Sequence, residues 1–218
     1  MVEASLPAPD DVRPWPGLLT QPRRALRVAA DERIWLVPLL VSLLASVAEW
    51  ALRSQTGAPV PKLSPTGHPL GDIALGWALF AVGTLVFGYG LGRMVGGRAT
   101  LGAVFVVLLW SQLPAQVVRL PIDGLGVALH GSSWWSLDGS LFRATQLLSQ
   151  PVDATILNTL LVVAGAWSLG LSVIGLSEVH RITTWRVVFL IALPLFALGL
   201  AAIVAATILV AKFAAAGS

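Results

Sequence analysis

Residues 71–98 read GDIALGWALFAVGTLVFGYGLGRMVGGR, a long apolar run that ends in five glycines and two arginines within eleven residues. A phosphate loop places such glycines after a short strand and before a helix whose free N–H groups face the anion. Here the preceding run, residues 71–87, carries a single charge, Asp72, at its very start. It is too long for a buried strand and long enough to cross hydrocarbon as a helix. The glycines therefore lie at the exit of a membrane helix, and no acidic residue follows about 20 positions on to hold a ribose. Gly88, Gly92 and Gly96 recur at every fourth position, a spacing that sets them on one helix face for close packing. Gly96 and Gly97 are expected to end the helix.

Composition extends this reading to the whole chain. Of 218 residues, 56% are hydrophobic and 11% are charged, and the mean hydropathy is +0.81. A soluble domain carries about 25% charge, so the sequence is that of an all-α integral membrane protein. A formal charge of +3 without a dense basic run argues against nucleic acid. The chain contains no cysteine, which excludes disulfides and thiolate metal sites.

Residues 1–33 are polar, lack the early apolar run of a cleaved signal and form an expected cytoplasmic tail with one surface helix. In that helix Thr20 is the expected cap and Pro22 the first turn; Leu19, Leu26 and Ala30 fall on one side, Arg23, Arg24 and Arg27 on another. Such a helix lies in the interface, its arginines against anionic headgroups, unless the arginines serve topology alone. Five spans follow within a membrane domain of residues 34–211, at about 34–52, 72–91, 101–118, 154–175 and 187–211; residues 212–218 are a short tail. With the N-terminus inside, nine Lys and Arg fall on the cytoplasmic side and five outside, which predicts a cytoplasmic N-terminus and an external C-terminus. Residues 120–131 are apolar but short and glycine-rich, and are expected to re-enter the membrane or lie on it. Trp134 and Trp135 then mark an interface, and Leu137, Leu141, Leu147 and Leu148 a second surface helix.

Candidate chemistry is sparse. His68, His130 and His180 fall in separate loops without metal-ligand spacing, no nucleophile elbow occurs, and no pair of aspartates lies within a span. Neither an enzyme nor a cofactor, metal or nucleotide site is expected. Glu49 and Arg53, four apart near the outer end of the first span, can pair on one helix face; they are an intramembrane polar site or an interface anchor beside Trp50. Pro38, Pro114 and Pro194 lie within expected spans and are read as kinks. Gln112, beside Pro114, and Asn158 on the fourth span are candidates for a polar seam between helices. Glu178, His180, Arg181 and Arg186 form a dense polar patch before the last span, and with Arg93, Arg98 and the surface-helix arginines they make a basic collar for anionic lipid or an acidic partner, or a plain topology signal.

Three stretches together resemble the Yip (Ypt-interacting protein) domain family, in its bacterial branch. They are WPGLLTQPRRALRVAADERIWLVPLL, with Trp15, Pro22, Asp31 and Pro38; GRMVGGRATLGAVFVVLLWSQLP, with Gly96, Gly97, Trp110 and Pro114; and LSEVHRITTWRVVFLIALP, with Glu178, His180, Arg181 and Trp185. Trp110 stands where the family carries a tyrosine, and the eukaryotic Asp-Leu-x-Gly-Pro pattern is replaced by residues 31–38. The resemblance implies a bundle of five transmembrane helices with a cytoplasmic N-terminus and no known reaction. The expected function is thus a non-enzymatic inner-membrane scaffold or adaptor that binds anionic lipids, other membrane proteins or a second copy of itself. The alternative is a transporter or permease component using the polar seam.

Overall fold

The computed structural model describes residues 14–56, 69–137, 151–189 and 191–192, and these are helices and connecting turns without a strand. The elements are α1 (Pro14–Thr20), α2 (Pro22–Asp31), α3 (Leu36–Gln55), α4 (Pro69–Gly83), α5 (Leu101–His130), α6 (Trp134–Leu137) and α7 (Val152–His180). Helix α4 runs on through a π-helical stretch, Thr84–Leu91, and a last turn, Gly92–Met94. A further helix, α8, begins at residue 184 and is described at 184–189 and 191–192. Four helices have the length and composition to cross a membrane: Leu36–Gln55, Ile73–Met94, Leu101–Ser133 and Val152–His180. The fifth expected span lies mostly outside the described residues, as do residues 138–150 of the second expected surface helix.

The largest departure from expectation is in the third span. The stretch 120–131 is neither a re-entrant loop nor a surface segment; it is the second half of α5, one helix of 30 residues and about 45 Å. Pro114 and Pro121 sit inside it without ending it. The helix survives because a neighbour meets the backbone at the proline: Ala115 N–H donates to Ser168 Oγ of α7 at 3.2 Å. Pro38 breaks nothing either, since it occupies the first turn of α3, where N–H groups have no helical acceptor.

Helices α5 and α7 make the most extensive contact and form the axis of the fold, with α2 and α3 against them and α4 at the edge. Along the axis, Val106, Val107, Trp110, Leu113 and Leu171 meet Leu18, Ala25, Leu26, Ala29 and Ala30 in one buried cluster. Trp110 also donates Nε1–H to Ile34 O at 2.6 Å, which ties the turn between α2 and α3 to the first third of α5. The apolar side of α2 is thus spent on protein, Leu26 being wholly buried, while Leu19 of α1 is exposed. Helix α2 starts after Gln21 with no side-chain cap, and Thr20 instead bonds back to Pro16 O within α1. On the outward side of α3, Leu36, Val37, Leu40, Leu44 and Val47 are exposed, as a lipid-facing helix requires.

Candidate functional site

Two polar centres occupy opposite ends of the bundle. The first is built where α2, α4 and α7 end and α5 begins. Each of these three helices closes with the same pair of backbone bonds, one reaching back five residues and one three, around a left-handed residue. In α4 the bonds are Gly97 N–H to Gly92 O and Gly96 N–H to Arg93 O, with Gly96 at φ +89°. In α2 they are Ile34 to Ala29 and Arg33 to Ala30, and in α7 Ile182 to Ser177 and Arg181 to Glu178. Arg33 and Arg181 therefore take the left-handed place that glycine usually fills, at φ 53° and 54°.

The glycine-rich end of α4 wraps the end of α7. A Cβ at Gly92 or at Gly97 would run into the imidazole of His180, so the ring fills the space that two missing side chains leave. His180 Nε2–H donates to Gly88 O at 2.9 Å, and Arg98 N–H donates to His180 O at 3.1 Å, capping α7 from the loop. A Cβ at Gly88 would stand 2.7 Å from Val104 Cγ1, so this glycine does admit α5 closely. Gly96 does not share that role: a Cβ there meets nothing, and the residue serves the turn. The residue that packs is Gly97, which the four-residue spacing passes over.

Beside this clamp is a cleft of about 760 Å³ lined by Arg27, Asp31, Arg33, Arg98, Arg181 and Glu178, with Thr100 and Ala103 from the start of α5. Glu178 is nearly buried and is held by two arginines of α2: Arg23 Nη1 at 3.0 Å and Arg27, which also bonds it directly. Arg23 donates a further bond to Thr184 Oγ1 at 3.2 Å, which joins α2 to the first turn of α8. Thr100 caps α5, its Oγ1 accepting from Ala103 N–H at 3.3 Å. Arg93 and Arg186 are exposed outside the cleft, and Arg24 is half-buried on α2. The sequence placed all these arginines on one side of the chain's topology, but it did not reveal that Arg23 and Arg27 are engaged within the fold. The spacing of Glu178 from them, about 150 residues, gives no local signal.

The second centre joins the other ends of α3, α5 and α6. Glu49 Oε1 accepts from Arg53 at 2.9 Å, the expected pair, and also from Arg119 of α5 at 3.2 Å. Arg119 reaches Asp123 Oδ2 at 3.2 Å, and Asp123, fully buried, accepts from Trp134 Nε1–H at 3.0 Å. Trp134 is therefore no interface marker: it is wholly buried and lies over Gly126, where a Cβ would meet its ring. Trp135 does reach the first span, donating to Thr56 Oγ1 at 2.9 Å with the Arg53 guanidinium 4.2 Å over its ring. The Arg119 and Asp123 spacing of four was the available signal for this network. Between the two centres, Ser42 Oγ–H donates to Gln116 at 2.6 Å and Ser168 meets the backbone of α5, while Gln112 is half-buried and Asn158 buried. No cluster of metal-ligating residues occurs among the described residues.

Four helices of membrane-crossing length, packed through an apolar axis and exposing apolar side chains outward, define a multi-span integral membrane protein. The sequence matches the Yip1 domain over residues 17–206, nearly its whole length, and the chain belongs to that family. No curated protein matches it. No solved structure matches it either.

Proposed function

We propose that this Yip1-domain protein is a non-enzymatic scaffold or adaptor of the bacterial inner membrane, with its N-terminus cytoplasmic and five spans, that binds anionic lipids and neighbouring membrane proteins through its basic end. What supports the reading is one observation: α2 and the turn after it, the ends of α4 and α7 and the starts of α5 and α8 bring Arg23, Arg24, Arg27, Arg33, Arg93, Arg98, Arg181 and Arg186 to one end of the bundle. Arginines at the ends of apolar helices stand at headgroup level, and each contributes on the order of 1 kcal/mol of attraction to a negative surface. The apolar side of α2 packs on protein, so the helix meets the membrane with its arginine side and the bundle carries it there.

The polar groups within the spans speak for packing. Ser42, Gln116 and Ser168 bond across helices, and Glu49 is engaged by two arginines. The transporter alternative draws no support from them.

The test is lipid retention. The purified protein in mixed detergent, offered phosphatidylglycerol and phosphatidylcholine in equal amounts, is expected to retain the anionic lipid in native mass spectrometry, with a preference that falls as salt rises. Equal retention of the two at low salt would remove the lipid-binding role and leave the arginines as topology signals.

A further inference from the structure

The arginines of the basic end are not equivalent. Arg23 and Arg27 are occupied by Glu178, an internal carboxylate that sits in the wall of the cleft. Arg33, Arg98 and Arg181 line the same cleft, and none of them has an ion-pair partner among the described residues. Once Arg27 and Glu178 cancel, the lining keeps three arginines against one acid, Asp31, a net charge of +2. The start of α5 borders the same wall through Thr100 and Ala103. Leu101 and Gly102 open α5, where N–H groups have no carbonyl acceptor within the helix and the dipole favours an anion. Thr100 Oγ1 serves only the third of these groups, Ala103 N–H.

We propose that this cleft is a binding site for a phosphate monoester. The proposal rests on the anionic-lipid reading above and narrows it from a charged surface to a defined ligand chemistry. A phosphate monoester carries nearly two negative charges at neutral pH and three acceptor oxygens, matching a +2 cleft with arginines on three separate elements. A phosphodiester carries one charge, and would leave one arginine of the lining without a counterion. The volume, about 760 Å³, is far larger than a phosphate and has room for the group that bears it. Arg33 and Arg181 are fixed at left-handed helix ends and Arg98 follows directly on the glycine clamp, so the three are carried by structured backbone. Such an ester arrives either at the head of a lipid, as in phosphatidic acid, or free in solution, as in glycerol phosphate.

The experiment separates these sources from each other and from the broader reading. The full-length protein in phosphatidylcholine nanodiscs is offered equal amounts of phosphatidic acid and phosphatidylglycerol; separately, in detergent, it is titrated with glycerol phosphate and its melting temperature followed. A lipid source gives about a fivefold preference for phosphatidic acid over phosphatidylglycerol, the worth of one additional arginine contact. A soluble source gives instead a saturable rise in melting temperature with glycerol phosphate. In either case the triple variant R33Q/R98Q/R181Q, and Arg98→Glu alone, abolish the effect while leaving the melting temperature of the unliganded protein close to the parent's. Anionic lipids retained over phosphatidylcholine with no monoester preference in either arm would overturn this inference and leave the scaffold reading standing. A preference that survives both variants would overturn the assignment to this cleft. No preference for any anion would overturn both.

Discussion

The imidazole of His180 occupies the place where a side chain on Gly92 would stand. The last turn of one span thus closes on the last residue of another, and Gly88 O and Arg98 N–H hold that residue from either side. Any side chain at position 92 must move the ring or part the two helices. Gly92→Leu should therefore lose about 1 to 3 kcal/mol of stability, the usual cost of an overpacked interior, and Gly97→Ala a similar amount. Thermal unfolding in detergent reads the loss, with Gly102→Ala as the control: a Cβ at Gly102 meets nothing, and alanine there should leave stability unchanged or raise it. A Gly92→Leu protein that melts with the parent would mean that the clamp bears no load.

The two arginines of α2 bound to Glu178 lead to a different expectation. Both are more than half exposed, so each ion pair is worth about 1 kcal/mol or less. Glu178 is nearly buried, however, and losing both partners leaves its carboxylate desolvated and unpaired. Arg23→Gln with Arg27→Gln should lower the melting temperature, and adding Glu178→Gln should recover much of the loss. Without that recovery, the arginines would stabilise the fold by some route other than Glu178.

Much of this architecture is legible in the sequence because its signals are long-range in composition and short-range in spacing. The first four apolar runs mark four helices that overlap the expected spans, and Gly96 with Gly97 does end α4. The continuity of α5 is not legible in the same way. Pro121 and the glycines at 124 and 126 argue locally for a break, whereas the burial of Ile122 and Asp123 against Trp134 holds the helix together from outside. The packing role of Gly97 is not legible for a related reason: a repeat of four finds residues on one helix face, and Gly97 lies beyond the helix. The partners of the site residues, such as Arg119 for Glu49, come from other helices, where spacing carries no information.

The chain of Glu49, Arg119, Asp123 and Trp134 should behave as one unit at the far end of the bundle. Removing Arg119 takes a charged donor from the buried Asp123 carboxylate, which keeps its bond from Trp134, so Arg119→Gln should cost about 1 to 3 kcal/mol. Asp123→Asn relieves the buried charge, and the double variant should cost less than the sum of the single ones. A double-mutant cycle by thermal unfolding measures the coupling, and strictly additive losses would mean that the two side chains do not depend on each other.

Topology is the remaining expectation, and it follows from charge. Under a cytoplasmic N-terminus the clamp, the cleft and eight arginines at residues 23–33, 93–98 and 181–186 all fall on the inner side, where lysine and arginine accumulate. The pair Glu49 and Arg53, with Arg119, then faces outward. Helices α3, α4, α5 and α7 alternate in direction, so a fifth crossing after Arg186 would carry the C-terminus to the outer side. Reporter fusions at residues 10 and 216 should accordingly report opposite sides, with residue 10 cytoplasmic. A fusion at residue 62, between α3 and α4, should report the outer side. Residues 10 and 216 on the same side would leave the region 187–211 short of a full crossing, and residue 10 outside would invert the bundle and present the basic cleft to the exterior.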